Sequence, residues 1–148
     1  MPVPHFAVER LVFHPDPPAT AQVAWVLVRG GEVFCGPDGS PFLQALPDGT
    51  DSSGAILLGA LEDISLYALR AEAAPVGLTS HRLRSLYGQV DEETLAVAGR
   101  AVQLVRFDET TQFCGRCGEP AVWKKGGEVA KVCPGCGETI YPPLTPAV

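Results

Sequence analysis

Four of the chain's five cysteines fall into two Cys-x-x-Cys pairs, and this spacing constrains the fold more than any other feature. Cys114 and Cys117 form the first pair and Cys133 and Cys136 the second, with fifteen residues between them. Two pairs of thiolates at this separation suit a tetrahedral metal with bonds near ~2.3 Å. Gly115, Gly118, Gly135 and Gly137 flank the pairs and allow tight turns in which backbone N–H groups point at sulfur and stabilise its charge. Between the pairs, Ala121-Val-Trp-Lys and Val129-Ala-Lys-Val flank Gly126-Gly127. The pattern predicts a β-hairpin that brings the two knuckles together.

This is the pattern of a zinc ribbon, with Cys114, Cys117, Cys133 and Cys136 as the candidate ligands of one structural Zn2+. Four thiolates leave no open coordination position, so such an ion shapes the chain and does not act as a Lewis acid. A disulfide reading would need an oxidising compartment that nothing in the sequence indicates. The ribbon is also too small to have a core of its own, so metal binding would supply much of its folding free energy. Two other uses of such a module stay open at this point. One is a free-standing interaction module for protein or nucleic acid, with Arg116, Trp123, Lys124, Lys125 and Lys131 as contacts. The other is a rubredoxin-like iron electron carrier, since thiolates bind iron as well.

The rest of the chain has room for an ordinary core. It is part of a 148-residue sequence that is 46% hydrophobic and 19% charged, which describes a globular protein and not a disordered tail. The run "AQVAWVLVRGGEVFCG" reads as two strands around a turn at Gly30-Gly31. Two loops rich in Pro, Asp and Gly follow, and then "AILLGALEDISLYALRA" gives a buried-looking run and a strand over 64–70. Thr79 or Ser80 is expected to cap a short helix carrying Leu83, Leu86 and Tyr87. Asp91 is expected to cap a longer helix with a core-facing stripe of Leu95, Ala98, Val102 and Val105. Residues 108–112 read as a polar link to the cysteine module. The fold class is therefore α+β, strands then helices, followed by a four-cysteine ribbon.

Charge and the remaining candidates narrow the function. The formal net charge is −6, and residues 1–108 carry seven basic and thirteen acidic side chains, against four of each in 109–148. An acidic body has no general attraction for phosphate backbones, so any nucleic-acid contact would have to be local. No apolar run reaches the ~18 residues of a membrane helix, and Met1-Pro-Val-Pro-His lacks the features of a signal peptide, so the expectation is a cytoplasmic protein without a membrane partner. Cys35 reads as a buried small hydrophobe. His5, His14 and His81 are scattered without ligand spacing, and Asp91-Glu92-Glu93 reads as a helix start.

The run "TQFCGRCGEPAVWKKGGEVAKVCPGCGETIYPPLTPAV" resembles the zinc ribbon of the NADH pyrophosphatase family of Nudix hydrolases, from its Phe-Cys-Gly-x-Cys-Gly opening to its Tyr-Pro-x-x-x-Pro-Ala-Val exit. Residues 98–107 resemble the helix that leads into that ribbon, with Phe107 where the family often has tryptophan, and "LLGALEDISLYALRA" resembles the family's strand region. The resemblance implies a Nudix-like amino-terminal domain at 1–108, the ribbon at 109–143, and the start of a Nudix catalytic domain at 144–148. It implies, for the complete protein, hydrolysis of the NADH or NAD diphosphate to a nicotinamide mononucleotide and AMP, with NAD-capped RNA as a further substrate, and a homodimer. A Nudix box, G-x5-E-x7-R-E-U-x-E-E-x-G-U with U aliphatic, holds Mg2+ or Mn2+ on glutamates. No Arg-Glu dipeptide occurs here, and the only Glu-Glu pair, Glu92-Glu93, lacks the rest of the pattern. No catalytic residue is therefore expected in this sequence, and the divalent cation belongs with the catalytic domain.

Overall fold

The computed structural model describes residues 22–61, 64–124 and 129–142. His5, His14, Lys125, the Gly126-Gly127 turn and the 143–148 exit, all singled out above, lie outside the described residues. The body is a five-stranded sheet with one long helix on it. Its strands are β1 (Gln22–Arg29), β2 (Glu32–Cys35), β3 (Ile56–Leu61), β4 (Ile64–Arg70) and β5 (Thr79–Arg82), in the order β3-β4-β1-β2-β5. β1 and β4 run parallel at the centre, in register from Gln22 opposite Ile64 to Val28 opposite Arg70; the other pairs are antiparallel.

Alternation along the strands sorts the side chains onto two faces. Val26, Val28, Val33, Cys35, Leu58, Leu66 and Ala68 point to one face and are buried under the helix α1, Glu92–Thr110. Leu27, Phe34 and Leu69 point to the other, where Leu43, Leu46 and Leu78 from the loops cover them. Asp91 caps α1 as expected, its Oδ1 accepting from the Thr94 N–H at 2.7 Å, with Glu92 and Glu93 in the first turn where the helix dipole favours them.

Two expectations for the body are corrected. Thr79 and Ser80 cap no helix; they belong to β5, held at the sheet edge by pairing with β2, and the following Leu83–Leu86 segment is a single 3-10 turn without a side-chain cap. The helix stripe is also rotated. Ala98 and Val105 are buried, but Leu95 and Val102 sit at its margin, and Thr94, Val97, Ala101, Leu104 and Phe107 complete the packed face. Small residues let the helix approach the sheet closely, whereas the larger Leu95 and Val102 fill the flanks. The polar link at 108–112 begins within α1: the helix continues through Thr110, and the Thr111 N–H donates back to Phe107 O at 2.9 Å.

The ribbon follows as a second, three-stranded antiparallel sheet of β6 (Val122–Trp123), β7 (Lys131–Val132) and β8 (Thr139–Ile140). The hairpin pairing expected on either side of the glycine turn is present, Val122 opposite Val132 and Trp123 opposite Lys131. The third strand carries the chain out of the second knuckle. No helix among the described residues is long and apolar enough to cross a membrane.

Candidate metal centre

The two knuckles are built alike. In the first, the Cys114 N–H donates to Glu119 O at 2.7 Å and the Gly118 N–H to Cys114 O at 2.9 Å. In the second, the Cys133 N–H donates to Glu138 O at 2.9 Å and the Gly137 N–H to Cys133 O at 2.8 Å. Gly118 and Gly137 hold φ of +82° and +80°, a conformation that costs other residues steric energy, so glycine closes each turn. Gly115 and Gly135 do not share that role. Gly135 is small for a different reason: a Cβ there would meet Glu119 Cγ at 3.0 Å, so the two knuckles could not approach as closely.

This closeness gathers the sulfurs. The four Sγ atoms of Cys114, Cys117, Cys133 and Cys136 all lie within 4.8 Å of one another, Cys114 to Cys136 at 3.7 Å and Cys117 to Cys133 at 3.3 Å. A regular tetrahedron with metal–sulfur bonds of about 2.3 Å has its sulfurs about 3.8 Å apart, so small shifts of the sulfurs would bring the cluster to the geometry such an ion takes. One cysteine of each knuckle is buried, Cys114 and Cys133, and one is exposed, Cys117 and Cys136. None is in a disulfide.

The electrostatics also favour a cation. The N–H groups of Cys117 and Arg116 hold the Cys114 thiol down to about 7, the Arg116 N–H lying 3.4 Å from its sulfur. The Glu119 N–H draws Cys117 downward too, but the adjacent Cys133 sulfur, desolvation and the other two sulfurs outweigh it and push this thiol up to about 12. Cys136 is raised as well, its Glu138 N–H outweighed by burial and crowding. Sulfurs this close cannot all ionise against one another, whereas a divalent cation among them makes four thiolates the favoured state. With all four engaged, no position is open for water or substrate.

The ribbon is anchored to the body by Lys131, which the sequence offered as a contact of an interaction module. Lys131 is 4% exposed. Its ammonium lies 2.7 Å from Asp108 Oδ1 and donates to Thr111 O at 2.8 Å and Asp108 O at 3.3 Å, so it caps the carbonyl end of α1. It also stands 5.2 Å from the Trp123 ring and 6.0 Å from the Phe107 ring, which pack edge to face on each other at 5.7 Å. Trp123 and Val129 extend the body's apolar core into the ribbon. Lys131 is thus committed to the interior and the partly buried Trp123 to the dock on the body, and Arg116 pairs with Glu138 at 3.4 Å. A signal was present in the sequence, since Lys131 stands in the otherwise apolar run Val129-Ala-Lys-Val.

The other candidates fall outside the centre. Cys35 is buried at the end of β2 beneath the helix, and burial, then the Asp38 charge, raises its thiol above the ordinary range. His81 lies on the edge strand β5, opposite Val33. Among the described residues, the four cysteines are the one group of three or more side chains placed to hold a metal ion.

Comparison with known proteins agrees with this division. Residues 22–106, more than half of the chain, match the family described as NADH pyrophosphatase-like rudimentary NUDIX domain, and residues 109–141 match the NADH pyrophosphatase zinc ribbon domain. The NAD-capped RNA hydrolase NudC of Deinococcus radiodurans is 36% identical over 135 residues, covering 88% of this chain and 46% of the relative. The protein of the same name from Stutzerimonas stutzeri is 34% identical over 87 residues, 59% of this chain and 31% of the relative. The one from Photobacterium profundum is 27% identical over 124 residues, 84% of this chain and 46% of the relative. In each case the match spans less than half of the relative's own length.

Proposed function

Because the chain belongs to the NADH pyrophosphatase-like NUDIX family, we propose that it is the non-catalytic NUDIX-like and zinc-ribbon portion of a hydrolase that cleaves the diphosphate of NADH or NAD to a nicotinamide mononucleotide and AMP, and that also takes NAD-capped RNA. In this reading residues 1–108 are the NUDIX-like domain, 109–143 the ribbon and 144–148 the start of the catalytic NUDIX domain. That domain is this chain's main partner, the assembly is a homodimer, and the compartment is a reducing cytoplasm that keeps the thiols free.

Cys114, Cys117, Cys133 and Cys136 are the ligands of one zinc ion, whose chemistry is structural: it ties the two knuckles together. The single observation that carries this is the four-sulfur cluster, whose distances suit a tetrahedral ion with no open position. Around it, this chain's own residues do the positioning. Trp123 and Phe107 dock the ribbon on α1, and Lys131 fixes the helix end against it. Diphosphate cleavage needs a divalent cation at the phosphates and an activated water. Mg2+ or Mn2+ would be held by the glutamates of a Nudix box in the catalytic domain, since the only Glu-Glu pair here, Glu92-Glu93, lies at the start of α1 without the rest of that pattern.

The test is to measure AMP release from NADH with Mg2+ or Mn2+ by this chain alone and by the complete protein. AMP from the complete protein only supports the reading. AMP from the purified chain, in proportion to its concentration and through repurification, contradicts it.

A further inference from the structure

The body is acidic, yet three of the seven basic side chains of residues 1–108, Arg29, Arg82 and Arg84, line one open groove. Sheet register accounts for the gathering. Arg29 ends β1 and pairs with Glu32 of β2, and Glu32 pairs in turn with Arg82 of β5. Cross-strand partners share a face, so these three stand in one row across strands spaced about 4.8 Å apart. The Leu83 N–H then donates to Gly31 O at 3.3 Å, which folds the 3-10 turn against the β1–β2 turn and brings Arg84 to the same groove.

What separates these arginines from the others at that end of the sheet is that their charge is not answered. Arg70, at the end of β4, is 3.5 Å from a Glu109 carboxylate. Arg29, Arg82 and Arg84 are exposed, and none makes an ion pair among the described residues. Glu32, half-buried, is the one carboxylate lining the groove, which leaves a local excess of two positive charges on a body that is otherwise negative.

We propose that this groove is a docking track for the phosphate backbone of single-stranded RNA, resting on the reading above that the complete protein acts on an RNA end. Guanidinium forks recognise phosphate oxygens in pairs and keep their charge at any working pH. The site is an open groove and not an enclosed pocket, which suits a continuous backbone better than a single nucleotide. The net negative charge of the body works against RNA at large, so the groove would set where the strand lies.

The experiment measures binding of a labelled single-stranded RNA of about 20 nucleotides, without a cap, to the zinc-loaded chain across a series of KCl concentrations. Each phosphate contact on a single strand contributes about 0.7 to the slope of log affinity against log salt, so three arginines predict a slope of about −2. The triple variant Arg29→Gln, Arg82→Gln, Arg84→Gln should bring that slope close to zero, the triple lysine variant should keep most of it, and Arg106→Gln on the helix should leave it unchanged. A wild-type chain that does not bind the RNA at the lowest salt, or a triple glutamine variant with an unaltered slope, overturns the proposal. Hydrolysis of NADH by the complete protein is read separately. Its absence would defeat the functional reading, whereas intact NADH hydrolysis with an unaltered RNA slope would defeat the groove alone.

Discussion

Beneath α1 the body packs Val26, Leu58, Leu66 and Val97 out of contact with water, whereas the ribbon buries only Cys114, Ala130, Lys131 and Cys133 among its described residues. Two of those four, Cys114 and Cys133, are proposed metal ligands and one is a charged anchor. The body can therefore rest on apolar burial spread over many side chains, but the ribbon has no comparable core and, in the proposed reading, depends on a cation and on its dock against α1. One chain thus contains two stability regimes joined through a single helix end. Changes to sulfur should be felt in the ribbon, changes to apolar volume in the body, and changes at the joint in both.

The strongest way to break this comparison is Cys133→Ser. Structural zinc sites contribute apparent binding free energies on the order of 10 kcal/mol or more, so the variant should hold less than about half an equivalent of zinc and lose the ribbon fold while the sheet remains. Metal analysis together with thermal unfolding checks it, and loss of all cooperative unfolding would show that the two regions form one unit. Next in size is Leu66→Ala, a buried side chain at the centre of the sheet. It should cost about 3 kcal/mol by urea unfolding with the zinc stoichiometry unchanged.

The joint separates more finely. Asp108→Ala leaves the buried Lys131 ammonium with only backbone carbonyls and should cost about 2 kcal/mol, while Lys131→Met removes the charge itself and should cost about 1 kcal/mol, Asp108 being already part-exposed. Equal costs, or a larger one for Lys131→Met, would mean that packing and not charge holds the dock. The smallest effect concerns Cys35. Burial raises its thiol in the folded state, so the unfolded chain loses this proton first as pH rises. Its contribution is present below the ordinary thiol range and fades as pH climbs through it. Unfolding midpoints between pH 7.5 and 10 should fall more steeply for the wild type than for Cys35→Ala.

Legibility in the sequence follows the same division. The knuckles, the β6–β7 pairing and the Asp91 cap were readable because each depends on residues close to one another in the chain. Strand β4 was readable from its own apolar pattern. What could not be read depends on partners distant in the chain. Thr79-Ser-His-Arg82 has no strand signature and becomes β5 only because β2 offers an edge. The parallel pairing of β1 with β4 joins segments some forty residues apart. Lys131 was read as a contact for a partner, although its place is decided by the Asp108 and Thr111 oxygens twenty and more residues earlier in the chain. In α1, helical spacing found Ala98 and Val105 on the packed face but put Leu95 and Val102 beside them, and it left out Val97, Ala101 and Leu104, which packing on the sheet selects.

The claim on which the rest depends is that metal holds the ribbon and apolar packing holds the body, with α1 as the joint. Amide hydrogen exchange, resolved by residue in the reduced chain before and after zinc is removed with a chelator, tests it directly. The account predicts that amides of Cys114, Gly118, Cys133 and Gly137 lose protection, that Thr111 at the end of α1 loses part of its own, and that β1, β4 and the helix from Val97 to Leu104 keep theirs. Protection unchanged in the knuckles, or lost equally across the sheet, would contradict it.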